Sequence, residues 1–291
     1  MILKKNEVPS SPKLGVEWTQ SLENDIIDRL AEVDCVEIIP ENFFFNRRDD
    51  FIKKLGASGT PVMIHGVELS IGSDEPVKQA HLERMLEVAD RVNMIDLSDH
   101  LCMTESGGVE VGQLTPLPWS VNAADVVCKN IERVMAQVRV PFLIENIANR
   151  FVFPETELTE VQFINRVLDR TGCQLLLDLH NLHANAFNFK FDPFAWLEEL
   201  DLNRVGAIHL AGGHYDDEGT LVDGHSHPIP DRVWELYRSV CAKVTPACTI
   251  VERTENFPVY GEVLTEVDKA RGIVNSSIIS FSQDLQSGVG R

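Results

Sequence analysis

The stretch Gln174–His183 reads Q-L-L-L-D-L-H-N-L-H. Its opening, Gln174–Leu177, is short and almost wholly apolar, the pattern of a strand buried on both faces. The run stops at Asp178, and His180, Asn181 and His183 follow at once. A carboxylate, two imidazoles and an amide at the end of a buried strand make a costly core and a suitable metal cradle. Alone, the stretch also reads as an ordinary loop with a helix-capping Asp. The choice is made by the rest of the chain, where the same ending recurs.

Working outward, strand-like apolar runs appear at Leu14–Trp18, Cys35–Pro40, Val62–His65, Met94–Leu97, Pro141–Ile144, Val205–Leu210 and Cys248–Val251, which with Gln174–Leu177 makes eight. Helical spacing lies between them. Leu22, Ile26, Ile27 and Leu30 share a face, and Val77–Val92, Ala123–Val138, Thr159–Leu168 and Arg232–Val240 read likewise. Ser120 or Asn122, Thr159 and Asp192 stand where helix N-caps belong. Strand-then-helix units repeated along the chain imply parallel strands joined by right-handed crossovers, and eight of them close a (β/α)8 TIM barrel. An open doubly wound sheet would want a glycine-rich first turn, and the sequence has neither GxGxxG nor a P-loop. With no repeat and no linker, residues 1–275 read as a single catalytic barrel domain. The Ser-, Gly- and Gln-rich stretch 276–291 reads as a C-terminal tail, flexible or partner-contacting.

Composition narrows the function. Of 291 residues, 45 are Asp or Glu against 26 Lys or Arg, a formal charge of −19 that disfavours a nucleic-acid binder. Met1–Pro12 has no apolar core of signal-peptide length and no run approaches a membrane span. The six cysteines are scattered without CxxC spacing and read as reduced, buried thiols of a cytoplasmic protein.

In a barrel of this kind the active site is built at the carboxyl ends of the strands. The runs end in Glu41 (I-I-P-E-N), His65 (V-M-I-H-G), Asp99 and His100 (S-D-H-L), and Glu145 and Asn146 (L-I-E-N-I). They continue with Asp178, His180, Asn181 and His183, then His209 and His214 (I-H-L-A-G-G-H), then Asp223, His225 and His227 (D-G-H-S-H), and finally Glu252 (I-V-E-R-T). Eight of nine histidines fall in these expected loops, and His81 alone falls on an expected helix. Imidazoles suit borderline divalent metals, and carboxylates bridge neighbouring ions and balance their charge. One tetrahedral site uses three or four protein ligands. The surplus here implies two or three ions. Singly, His65 or His209 could be a core histidine, Glu145 an ion-pair partner, and Asp223 a turn residue. The coincidence of all of them carries the reading.

The order H-G-V-x-L-S-x-G-S, S-D-H-L, E-N-I, D-x-x-N, H-L-A-G, D-x-H and E-R resembles the multinuclear non-haem iron-dependent oxidative enzymes, the family of the methanobactin-biosynthesis oxygenase and its peptide-modifying relatives. The resemblance implies a xylose-isomerase- and endonuclease IV-like barrel. It also implies an O2-dependent enzyme with two or three iron ions, mixed-valent Fe(II)/Fe(III), that oxidises a cysteine of a ribosomally made precursor peptide. Excision of the Cys β-carbon is favoured slightly over oxazolone–thioamide formation. The peptide would be delivered by a separate partner protein, as a heterodimer, with no nucleic acid and no membrane involved.

Carried over residue by residue, His65, His100 and Glu145 resemble one iron's ligands. Glu145 would bridge to a second iron held by Asp178, His209 and Glu252, and Asn181, Asp223 and His225 resemble a third position, with His183 a possible addition. Glu145, His100 and Asp178 would be catalytic, while Glu41 and Asn146 would meet substrate. The chain departs from many relatives at Thr254, where they carry Asp, and in D-G-H-S-H, where they have D-T-H. A di- or trizinc phosphodiesterase or a metal-dependent sugar isomerase on the same barrel is the alternative from another class, and an inactive partner-binding scaffold is a third.

Overall fold

The structure is a computed structural model that describes residues 12–154 and 156–287. Eight parallel strands close a barrel: β1 (Lys13–Glu17), β2 (Cys35–Ile38), β3 (Pro61–Gly66), β4 (Asn93–His100), β5 (Phe142–Glu145), β6 (Gln174–Asp178), β7 (Val205–Leu210) and β8 (Cys248–Val251). Neighbours in sequence are neighbours in the sheet, and β8 pairs with β1 to complete the circle, with Gly15 opposite Ile250. The expected (β/α)8 barrel is the observed fold. The closed sheet leaves no free edge in the barrel, and the surrounding helices explain why the strands are apolar on both faces.

The helices form as their sequences dictate. Ser120 accepts from the Ala123 amide ahead of the helix Val121–Met135. Thr159 and Gln162 form a reciprocal capping box at the helix Glu160–Thr171, whose Val161, Phe163, Ile164, Val167 and Leu168 are buried. Asp192 caps Pro193–Glu199 through the Phe194 amide. Each buried apolar side chain of these helices contributes about 1.5–3 kcal/mol before ordering costs.

Three features differ from the sequence reading. Strand β4 runs through to His100 rather than stopping at Leu97, because Ser98, Asp99 and His100 remain in register with β3 and β5. The helix Leu179–Phe189 starts directly after Asp178, whose carboxylate caps it through the Asn181 amide, so His180, Asn181 and His183 are helical rather than in a loop. The last helix, Tyr260–Ser287, continues without a break through the position where the tail was expected to begin, and residues 288–291 lie outside the described residues. Two hairpins rise from the same end of the barrel, Met103–Ser106 with Val109–Thr115 after β4, and His214–Tyr215 with Leu221–Val222 after β7.

The barrel interior is layered, since alternate residues of each strand point inward. Cys35, Met63, Leu143, Leu176, Ala207, Cys248 and Ile250 form a small apolar cluster separate from the main core between helices and sheet. Two residues further along their strands stand Glu37, His65, Glu145, Asp178, His209 and Glu252. The apolar floor thus sits one inward position below a layer of carboxylates and imidazoles at the mouth.

Candidate metal centre

Glu145 ends β5 and is buried, with both oxygens engaged by imidazoles. His65 Nε2 lies 3.1 Å and His100 Nε2 3.3 Å from its Oε2, while His209 Nδ1 lies 3.4 Å from its Oε1. Potential ligand atoms gather in four overlapping clusters, namely His65–His100–Glu145, Glu145–Asp178–His209, Glu37–His209–Glu252 and Glu17–His225–Glu252. Glu145 is shared by the first two, and Glu252 by the last two.

Backing groups orient the imidazoles. The His100 Nδ1 sits 3.3 Å from the Gly66 carbonyl, which can only accept, so Nδ1 carries the proton and Nε2 keeps its lone pair toward Glu145. His65 Nδ1 meets Ser98 Oγ at 2.9 Å. His209 Nε2 meets Glu37 Oε2 at 2.9 Å, leaving Nδ1 toward Glu145 and, at 3.1 Å, Glu252. A ring nitrogen tied to a carbonyl, hydroxyl or carboxylate, with the other nitrogen facing inward, is the arrangement that fixes a metal-binding histidine. Gly66 has a second use here. A Cβ on it would fall 2.5 Å from Asp99 Oδ2, the oxygen that accepts from the Leu69 amide and holds the loop after β3.

Asn146, expected at substrate, instead braces Asp178. Its Nδ2 donates to the Asp178 carbonyl at 2.9 Å, its Oδ1 accepts from the Asp178 amide at 3.0 Å, and its own carbonyl accepts from Asn181 Nδ2. Glu41 accepts from the Val67 amide and faces His81 Nε2 at 2.9 Å. His225 Nε2 lies 2.5 Å from Asp223 Oδ1, and its Nδ1 lies 3.6 Å from Glu252 Oε2. The Asn181 side-chain oxygen is buried and unpartnered. His183 is half-buried, meets the His180 ring edge-on at 6.3 Å, and joins none of the four clusters. His214 and His227 flank Ser226, at 3.2 and 2.8 Å from its hydroxyl, away from the shared carboxylates. Thr254 ties the end of β8 to the loop carrying Asp223 and His225, its amide donating to the His225 carbonyl and its hydroxyl to the Gly224 carbonyl.

Sequence reasoning passed over Glu17, Glu37 and His81. Glu17 and Glu37 are the carboxylates of β1 and β2 that reach the same layer, and His81 reaches the mouth from the first turn of the helix Gln79–Ala89. A lone acid inside an otherwise apolar, fully buried strand is the signal that could have found the first two.

The electrostatics are those of a site short of positive charge. Burial raises Asp178 to about 7, aided by Asp223 and Glu145, and raises Glu17 to about 7, aided by Glu37. Glu145 behaves oppositely. Burial pushes its acidity down, but His100, His65 and His209 outweigh burial and hold it well below the carboxylate range. Burial also opposes charge on His65, yet Glu145 prevails and lifts it to about 9, whereas burial dominates at His100 and lowers it to about 4. Asp178 Oδ2 and Asn181 Oδ1 are buried without a hydrogen-bond partner, while His209 Nδ1, Asp223 Oδ1, His225 Nε2 and Glu252 Oε2 are buried and face only other members of the site. Buried oxygens left unpartnered among crowded carboxylates and imidazoles are a ligand set that a multivalent cation satisfies. The residues fit a metal.

Residues 13–275 match the family model of the RiPP precursor modification enzymes MbnB/TglH/ChrH. The chain belongs to this family. RiPPs are ribosomally made, post-translationally modified peptides, so a family member is an enzyme acting on a precursor peptide. Among its relatives, UPF0276 proteins of Rhizorhabdus wittichii and Caulobacter vibrioides are each 38% identical, over 86% and 82% of this chain and 89% and 85% of theirs. Solved structures share the barrel. Endonuclease IV of Thermus thermophilus superposes with a TM-score of 0.56 at 17% identity, covering 92% of this chain and all of its own. D-psicose 3-epimerase of Clostridium cellulolyticum superposes at 0.55 and 12% identity, covering 93% of this chain and 98% of its own. At such identities the likeness concerns the fold alone. No helix among the described residues is long and apolar enough to cross a membrane.

Proposed function

We propose that this family member is an O2-dependent, multinuclear iron enzyme that oxidises a cysteine of its precursor peptide. The observation that carries the reading is Glu145, shared between the two-histidine, one-carboxylate cluster with His65 and His100 and the adjoining cluster with Asp178 and His209. Two imidazoles and one carboxylate with open positions are the ligand set of non-haem Fe(II) oxygenases. A carboxylate reaching two such clusters supports a pair of ions rather than one.

Iron held there supplies a Lewis-acidic, redox-active centre for a thiolate and dioxygen. The chain's own residues do the rest. Glu37, Ser98 and the Gly66 carbonyl hold His209, His65 and His100 in place. Asn146 grips Asp178 by its backbone on both sides, and Asp178 anchors Asn181 by capping its helix. The proposed third position uses Asn181, Asp223 and His225. Its loop is held by Thr254 hydrogen bonds and a two-residue hairpin rather than by the barrel wall, which supports weaker retention of that ion. The precursor is delivered by a separate partner protein, and the chain works as one catalytic unit in the cytoplasm, where its six cysteines stay reduced.

Metal analysis of the purified protein tests this. Two or three equivalents of iron with visible absorption, lost together with O2 consumption on chelation, are expected. A colourless protein whose activity follows zinc and ignores O2 would overturn it.

A further inference from the structure

A groove of about 610 Å³, within the size range of ligand sites, lies beside the loop that follows β3. The helix Gln79–Ala89 offers Ala80, His81 and Arg84 to it, and the hairpin after β4 offers Thr104, Glu105, Glu110 and the run 112–114. Phe44 and Phe45 also line it. Val67, also in its lining, stands two residues beyond His65, and its amide donates to Glu41, the partner of His81. The groove therefore runs from the surface to residues adjoining the metal centre.

Phe45 is the anomaly. It sits in the left-handed region at φ 60° and ψ 35°, unfavourable for an aromatic residue, and its side chain is 73% exposed. The Arg84 guanidinium lies 4.9 Å over its ring, and a second hollow of about 420 Å³ adjoins its other side. Core packing does not account for a strained aromatic held upright between two hollows. Charge in the groove is mostly paired within it, since Lys78 pairs with Glu105 and lies 4.0 Å from Glu110, Glu68 lies 4.0 Å from His81 Nδ1, and Arg84 lies over the Phe45 ring. What remains for an occupant is an aromatic face, Val67, Leu114 and the space left by Ala80 and Gly112.

We propose that this groove binds the substrate residue next to the reacting cysteine, in extended conformation, with its apolar or aromatic side chain against Phe45. Arg84 fixes the ring and offers donors to the peptide backbone. His81, held by Glu41, is a positioning residue where the groove meets the metal centre. This assignment rests on the peptide-oxidase reading, but its test does not depend on turnover.

The test uses fluorophore-labelled pentapeptides with cysteine at the centre and Gly, Asp, Leu or Phe beside it, measured by anisotropy on the metal-loaded protein. Leu and Phe peptides should bind about tenfold more tightly than Gly or Asp peptides. Phe45→Ala should erase that preference. So should Ala80→Trp, which fills the groove from an exposed helix position and so spares the core. Metal content and melting curves confirm that both variants keep their centre. Equal binding of all four peptides, or a preference that survives both substitutions, overturns the proposal. Peptides that bind with the Phe45-dependent preference but are never oxidised leave the groove standing and refute the oxidase reading. Oxidation at a rate indifferent to the neighbouring residue and to both substitutions refutes the groove alone.

Discussion

Two layers of the barrel interior stand one inward position apart and obey opposite rules. In the floor, Met63, Leu143, Leu176, Ala207 and Ile250 exclude water and pack against one another. In the mouth, His65, Glu145, Asp178, His209 and Glu252 occupy the next inward positions of the same strands. The floor is satisfied by itself. The mouth is not, because its buried acids crowd one another and Asp178 Oδ2 and Asn181 Oδ1 are left without a hydrogen-bond partner. The difference shows how the fold divides its tasks: the floor fixes the strand spacing, and the mouth inherits that spacing as ligand geometry.

The largest expected effect comes from breaking the mouth at its shared member. Glu145→Gln keeps a side chain of the same shape but removes the anion between His65, His100 and His209. A neutral amide cannot bridge two cations, so at least one equivalent of metal should be lost. Because a metal Lewis acid supplies several kcal/mol, turnover should fall on the order of 1000-fold. Metal content and single-turnover rates measure both. Full metal occupancy with unchanged turnover would show that Glu145 is not the bridge.

The floor should answer in stability instead. Leu176→Ala leaves a cavity beneath Asp178 and should cost about 2–5 kcal/mol of unfolding free energy. Metal stoichiometry in the folded fraction should remain unchanged, because no ligand is touched. Denaturant melts with metal analysis separate the two readouts. Loss of metal without loss of stability would mean that the two layers are not independent.

The fold was legible because strands buried on both faces announce themselves as apolar runs, and because each run was expected to end in a ligand. That rule points to His65, His100, Glu145, Asp178, His209 and Glu252, each of which belongs to at least one cluster with a carboxylate from another strand. It failed for Glu17 and Glu37. Barrel strands are staggered, so β1 and β2 reach the mouth layer one or more residues before the apolar run stops, and their acids looked like interior strand positions. His81 reads from the sequence as helical, yet in a strand–helix unit the helix begins at the mouth, and His81 lies in its first turn. The role of Asn146 could not be read at all, since its three hydrogen bonds go to backbone atoms and to the amide of Asn181.

Asn146 gives a graded version of the comparison. It touches no cluster but holds Asp178 from outside, so Asn146→Ala should weaken metal affinity by about 10–100-fold while leaving the ligand set complete. Competition with a chelator of known affinity would measure the change. A loss as complete as that of Glu145→Gln would make Asn146 a ligand rather than a brace.

The smallest effect isolates burial from imidazole neighbours. Glu160 is a partly buried carboxylate outside the barrel, under the loop after β5, where Asn149 Nδ2 donates to one oxygen at 2.8 Å and Trp196 Nε1 to the other at 3.2 Å. Burial raises it to about 7, and these two neutral donors oppose the shift without cancelling it. Glu145 is at least as buried but lies among three histidines, and it moves the other way. Because the folded state binds the Glu160 proton more tightly than the unfolded chain, its stabilising contribution is fully present below about pH 4.5. It is lost as pH rises to about 7. Wild-type stability should therefore fall relative to Glu160→Gln across that window, on the order of 1 kcal/mol after allowance for partial exposure. Metal-site carboxylates titrate equally in both proteins and cancel in the difference. Paired urea melts at pH 4.5 and pH 7.5 measure it. If the gap between the two proteins is constant with pH, then neutral donors alone suffice to keep a buried carboxylate at its ordinary acidity.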